Sequence, residues 1–489
     1  MNLGKQNQLS QGGLLAVVAS VFLALPFAVH GLELIKIEGL SEAQQSLADS
    51  IDDICPEISD GVTAGTLSLN SNQQGLFDAC SAMIGTALRL QGVATADNPL
   101  SDFDLGSNIT SVDQYSAALG QIAHEEVASN GTSFTETSQS QIGNIGTRLR
   151  SLRLGGAKFF SGFTLNLQNH RLPGELFSNA VEDSNSSAMS LNSGLSYYVN
   201  GTLATGNKEA TSREDGFDFN TKGLTLGADY QIGRSGFVGL ALGYAKLDSE
   251  ITATATDEGM ENQGYNISIY GTRFSKSTYI NGILSIGQNN IDNKRTVPLI
   301  ADTTDDGVSN FTVTGTESLS GETTANTMGL NIGAGVDSNI GPFSISRYAQ
   351  LDYIRVLIDG YDEKGGSPLL LRVDEETINS FSSVVGLQAS LATSTGFGVI
   401  TDMIRLQWHH EFEDDSRKIN ADYLYNPLDK NFTFNAPTDN PDRNYFTAGI
   451  GATTVLPMGI QAFLYFEKTI GLANLDSQSI VFGVRKENF

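Results

Sequence analysis

The 489-residue chain holds two cysteines, one tryptophan and 11 prolines. Two thiols exclude a disulfide-dense scaffold and any cysteine-based zinc cluster. So little proline, with 52 glycines in no Gly-X-Y period, excludes collagen and Pro-rich disorder. Cations are scarce, with 29 Lys+Arg against 55 Asp+Glu and a net charge of −26. A nucleic-acid binder needs a basic face for the phosphate backbone, so that class is excluded. Charged residues make up 17%, below the usual ~25%. A mean hydropathy of −0.12 is too polar for a helical membrane protein. No stretch reaches the ~18 apolar residues that a spanning helix needs. The length allows about two to three domains.

The longest apolar run, residues 14–28 (LLAVVASVFLALPFA), is short for a span and fits the core of an export signal. Lys5 precedes it, and Val29-His30-Gly31 offers a small-residue cleavage site, with His30 awkward there. Residues 1–31 are therefore expected to be a signal peptide read by the Sec export machinery. A buried N-terminal helix is the other reading.

Residues 32–160 carry a helical period. Apolar residues at 40, 43, 47, 51 and 54 share one face. A second helix is expected over 76–90. A third follows the cap candidates Thr110 and Ser111, with Val112, Tyr115, Leu119 and Ile122 on one side. A fourth, over 139–154, sets Ile142, Ile145, Leu149 and Leu152 against Arg148, Arg150 and Arg153. The small polar stretch 181–194 reads as a linker.

From about residue 195 the period becomes two. Val238, Leu240, Leu242 and Tyr244 alternate with Gly239, Ala241 and Gly243. Leu224 to Tyr230, Met328 to Val336 and Phe446 to Ala452 alternate in the same way. A soluble sandwich normally has a charged outer face. Gly and Thr on the second face suggest a crowded polar interior behind a lipid-facing wall. Twelve strands are expected, joined by short turns at 232–235, 274–276, 339–342, 393–397 and 457–458. Long acidic loops are expected near 205–216, 250–262, 292–322, 358–378, 413–443 and 471–477. Alternating short turns and long loops mark an outer-membrane barrel. A closed barrel also satisfies every backbone group without a free edge.

These residues resemble the autotransporter family, the β-barrel translocators of type V secretion. The resemblance covers about residues 192–489. Gly223-Leu224-Thr225-Leu226-Gly227-Ala228-Asp229-Tyr230 is similar to the family's GxxxGaDY strand, and Phe237 to Tyr244 follows it. Tyr265 to Gly271, Pro342 to Tyr353 and Trp408-His409-His410-Glu411-Phe412 resemble later strands in the family's order. Gly449-Ile450-Gly451, Leu464-Tyr465-Phe466-Glu467, Gly483-Val484-Arg485 and the terminal Phe489 resemble the closing hairpin. One departure stands out: Glu487 occupies the place of the usual aromatic two residues before the last. That suggests a bulge in the last strand.

The resemblance implies an α+β multidomain fold. Its parts are a signal peptide (1–31), a mainly helical passenger (32–160), a linker or pore-threading segment (161–194) and a 12-stranded antiparallel transmembrane β-barrel (195–489). It implies an outer-membrane autotransporter that displays its passenger at the cell surface. The implied partners are outer-membrane lipid, periplasmic chaperones and the barrel-assembly machinery, with Phe489 as the assembly signal. By parity Asp229, Arg405, Gln407, His409, Glu411, Glu467 and Arg485 should face the lumen, since a lipid-facing charge costs ~2–4 kcal/mol at the midplane. They either contact the threading segment or pair with each other. Cys55 and Cys80 are expected to form a disulfide in the oxidising periplasm, two free buried thiols being the alternative. A porin-like channel with a periplasmic or plug-forming N-terminal domain is the rival function.

No enzyme signature emerges, and no metal or cofactor is expected. Gly233-Arg234-Ser235-Gly236 is a turn and not a nucleophile elbow. His124-Glu125-Glu126-Val127-Ala128 begins like a zincin motif but lacks the second histidine. His409 and His410 sit in a strand.

Overall fold

The computed structural model describes residues 37–92, 109–124, 127, 129–155, 164–167, 170–173, 195–252, 258–302, 311–456 and 460–487. The expected signal peptide, most of the expected linker and Phe489 lie outside the described residues.

Helix α1 (Glu42–Thr63) starts at a capping box, in which Ser41 and Gln44 satisfy each other's backbone amides. Helix α2 (Ser71–Leu90) starts the same way from Asn70 and Gln73. Helix α3 (Val112–Ala123) is capped by Ser111. Helix α4 (Ser129–Gly155) begins ten residues before the expected start at 139. Its first turns are rich in Ser, Thr, Asn and Gly, which favour helix weakly, so tertiary packing overrides propensity there. Cys55 and Cys80 form a disulfide that joins α1 to α2.

Strands β1 (Thr164–Leu167) and β2 (His170–Pro173) form a small hairpin. Strands β3 (Leu195–Lys208), β4 (Phe217–Ile232), β5 (Gly236–Ile251), β6 (Gly259–Ser275), β7 (Thr278–Asp302), β8 (Phe311–Ile340) and β9 (Phe343–Ile358) then run antiparallel in sequence. Four short strands follow or interleave: β10 (Tyr361–Asp362), β11 (Leu371–Val373), β14 (Lys418–Tyr423) and β15 (Phe434–Pro437). The wall continues through β12 (Glu376–Ser394), β13 (Val399–Glu411), β16 (Asn444–Val455), β17 (Ile460–Ile470) and β18 (Leu475–Glu487). Pairing of β18 with β3 closes a twelve-stranded barrel. The barrel shows its apolar residues outward, as the alternation predicts: Leu240, Leu242 and Ile404 are all more than half exposed.

Two expectations are corrected. Residues 292–322 are mostly a β-ribbon and not an irregular loop. The β7–β8 pairing runs on from Asp292↔Glu322 to Asp302↔Phe311 with one shift at Leu299/Ile300. Val297 and Leu319 give that ribbon a buried apolar face, which packs on Leu370 and keeps it paired. The last strand has no bulge among its described residues, since β18 pairs in unbroken register from Leu475↔Lys208 to Glu487↔Ser196.

The loops near 358–378 and 413–443 also carry structure. Strands β10, β11, β14 and β15 form a four-stranded sheet outside the barrel. The largest apolar core lies here. Leu47, Ile51, Ile54, Leu76 and Tyr115 from the helices pack with Leu371, Val373, Tyr423 and Phe434 from the sheet. The helical domain is therefore seated on the long-loop end of the barrel.

Candidate functional site

The lumen is occupied by α4. Near the long-loop end Gly131 lies against the Arg417 guanidinium. Near the short turns Arg153 lies 3.4 Å over the Tyr279 ring and 3.9 Å from Asp337. Between them a polar stripe at helical spacing (Gln141, Asn144, Arg148) is buried against the inner wall of β3 to β6. Gln141 Nε2 donates to the Tyr244 carbonyl at 2.8 Å. Asn144 Nδ2 donates to Thr225 Oγ1 at 3.0 Å, and Thr202 Oγ1 donates to Asn144 Oδ1 at 2.8 Å. Arg148 donates to both Asp229 oxygens, at 2.7 and 2.8 Å, and Tyr270 Oη donates to the same carboxylate at 3.1 Å.

Arg148 and Asp229 are each about 1% exposed. A buried pair of this kind holds only when geometry and extra hydrogen bonds offset desolvation, and a two-pronged guanidinium contact provides both. Glycine lets the helix come close: a Cβ on Gly243 would collide with Gln141 of the helix and with Asn266 of β6. The crowded Gly/Thr face read from the sequence is thus a seat for a helix.

The opposite inner wall is open. A cavity of about 670 Å³ lies between the far side of α4 and the wall that includes β12, β13, β16, β17 and β18. It is lined by Arg405, Gln407, His409, Glu411 and Glu467, among others. Arg405 donates to Glu467 at 2.7 Å and lies 4.4 Å over the Tyr465 ring. Thr447 Oγ1 donates to Gln407 Oε1 at 3.2 Å and lies 3.2 Å from His409 Nε2. Glu411 accepts from Ser380 Oγ at 2.7 Å and from the Phe381 amide at 2.8 Å. Arg485 Nε donates to Gln461 Oε1 at 2.6 Å. Asp229 therefore meets the helix, whereas these other residues contact neighbouring strands. Arg148 carries the decisive contact. The sequence shows it on the polar side of the fourth helix. The missed signal is a polar stripe at 141, 144 and 148 in a helix with nothing else to solvate it.

A second polar joint holds the helical domain to the loops. The Arg295 guanidinium meets Glu363 at 2.5 and 2.6 Å. It also donates to the Gln121 and Leu369 carbonyls at 3.0 Å. The Leu371 amide donates to Glu363 at 2.8 Å. Burial pushes the Glu363 carboxyl up, but the Arg295 guanidinium more than offsets it and holds the group below the usual glutamate range. His124 Nε2 lies 3.2 Å from Tyr361 Oη beside this joint. Among the described residues no group of three His, Cys, Asp or Glu side chains could hold a metal ion.

A closed barrel with an apolar outer wall and a helix through its polar lumen defines an outer-membrane protein. The autotransporter beta-domain model matches residues 197–467, and the chain belongs to that family. Membership places the barrel in a Gram-negative outer membrane and implies insertion by an assembly machinery. Esterase EstA of Pseudomonas aeruginosa is 27% identical over 220 residues, 43% of this chain and 30% of the esterase. An extracellular serine protease of Serratia marcescens is 24% identical over 251 residues, 50% of this chain and 21% of the protease. The chain thus spans a third or less of these relatives. Among solved structures, the translocator domain of autotransporter NalP from Neisseria meningitidis has a TM-score of 0.44 at 15% identity. That match covers 64% of this chain and 94% of the translocator. The beta domain of the Bordetella autotransporter BrkA has a TM-score of 0.44 at 16% identity, covering 60% and 100%.

Proposed function

We propose that this chain is an autotransporter whose barrel exports its own small helical domain and then retains it. The long-loop end faces the outside, the helical domain rests on the loops there, and α4 fills the pore behind it. The observation that carries this reading is the run of α4 through the lumen, locked by Arg148 and Asp229. A chain that had crossed the pore from the short-turn side would leave this arrangement. The rival, a channel with a periplasmic N-terminal domain, needs that domain at the short-turn end. The shared core of helices and loop sheet also favours a passenger that stays attached. Helices α1 to α3 then form the displayed cap and α4 the pore helix, and the work of the molecule is display of a surface and not catalysis.

The test is a protease-cleavable tag in the exposed turn at 64–68, probed on intact cells. Cutting while a periplasmic marker stays protected supports display. Cutting only after the outer membrane is opened overturns it.

A further inference from the structure

Along β13 the side chains at 400, 402, 404, 406 and 408 face outward: Ile, Asp, Ile, Leu and Trp. Asp402 is therefore a carboxylate on the membrane-facing wall, five residues after Phe397 in the short turn. Its register neighbours are Leu391 on β12 and Ala452 on β16, and Ala452 pairs in turn with Leu464 on β17. A groove of about 580 Å³ runs along the outside of the wall here. Ala389 and Ala452 leave it hollow, Phe343 and Phe466 bound it, and Asp402 is the one charged group lining it. Asp402 has no ion-pair partner among the described residues.

The surrounding charges make this position unusual. On the short-turn half of the wall the other outward charges are Arg273, Arg347 and Lys486. Such cations suit lipid phosphates. Asp402 is the one outward carboxylate of that half among the described residues. An ionisable group at membrane depth is costly unless something pairs with it, and the hollow beside it must be filled by hydrocarbon. A ligand with an acyl chain next to an N–H-bearing cation satisfies both demands.

We propose that the groove holds one acyl chain of a phospholipid from the leaflet on the short-turn side, and that Asp402 accepts hydrogen bonds from its primary ammonium head group. The inference requires only that the barrel lies in a membrane. It is independent of where the helical domain resides.

The test is native mass spectrometry of the full chain in detergent, with equimolar dioleoyl phosphatidylethanolamine, phosphatidylcholine and phosphatidylglycerol. Phosphatidylcholine carries the same charges but no N–H. Wild type is expected to retain phosphatidylethanolamine over each of the others by about threefold or more, the scale of one surface charge pair. Asp402→Asn should erase that preference, and Ala452→Phe, which fills the groove, should reduce retention of all three. Equal retention by wild type, or a preference unchanged in Asp402→Asn, overturns the proposal. If Ala452→Phe does not assemble, Asp402→Asn decides alone.

Discussion

The barrel and the helical cap are built inside out with respect to each other. The barrel turns leucine and isoleucine toward lipid and keeps Asp229 and Arg405 within. The cap buries Leu47, Ile51 and Ile54 completely and faces water with acidic residues such as Asp53, Glu57 and Asp60. The difference teaches where each half gets its stability. The barrel is closed by its own backbone pairing, and apolar groups it keeps inside, such as Tyr198, Ala241 and Ile283, pack on Ile145, Leu149 and Leu152 of α4. The cap is too small to finish its core alone and borrows Leu371, Tyr423 and Phe434 from the loops. Two buried ion pairs help to join the halves, Arg148 with Asp229 in the lumen and Arg295 with Glu363 under the cap.

The largest effect should come from breaking the lumenal contact. Arg148→Ala leaves Asp229 buried with only its tyrosine partner, a loss of about 3–5 kcal/mol. We expect α4 to become protease-sensitive and the heat-modifiable barrel band to be lost at lower temperature. The Arg148→Ala/Asp229→Ala pair should recover much of this, because no charge is then stranded. If the single and double variants melt together, the contact does not hold the helix.

Breaking the cap should leave the barrel untouched. Phe434→Ala removes a fully buried ring from the shared core and should cost about 3–5 kcal/mol. Limited proteolysis should release fragments from residues 37–124, while gel mobility of the barrel stays that of wild type. A parallel loss of barrel stability would show that cap and barrel fold as one unit. A smaller effect is expected from Cys55→Ser/Cys80→Ser. The bridge closes 25 residues of separation and contributes on the order of 3 kcal/mol in the chain-entropy model. Tyr115, Ile51 and their neighbours still pack without it, so the cap should loosen rather than detach.

The same contrast explains what could be read from the chain in advance. Period-two alternation is a local property, so twelve strands were legible from runs such as Leu224 to Tyr230 or Phe446 to Ala452; the expected turn at 457–458 lies outside the described residues. The extents of β7 and β8 were not. Their acidic upper halves read as loop, whereas pairing with each other keeps them extended beyond the wall. Strands β10, β11, β14 and β15 are two to six residues long and exist through contact with α1 to α3. No local period announces them. The pairing of Cys55 with Cys80 could be named from the sequence. That Asp229 meets Arg148, and that Arg405 meets Glu467, depends on strands and a helix brought together only by closure.

The finest test of the comparison is acid. Glu363 is held below the ordinary glutamate range by Arg295, so the folded state binds its proton less readily than the unfolded chain. Its contribution to seating the cap is complete above the ordinary range, about pH 4, and is lost as pH falls through the lower folded value. Cap release, followed by protease accessibility at 64–68, should therefore begin only below about pH 4. The barrel wall should keep its heat-modifiable migration over the same window. Glu363→Gln strands Arg295 and should make the cap accessible already at neutral pH, with little further change on acidification. If that variant instead shows the wild-type acid profile, another carboxylate governs the joint, and the two buried arginines are not equivalent anchors.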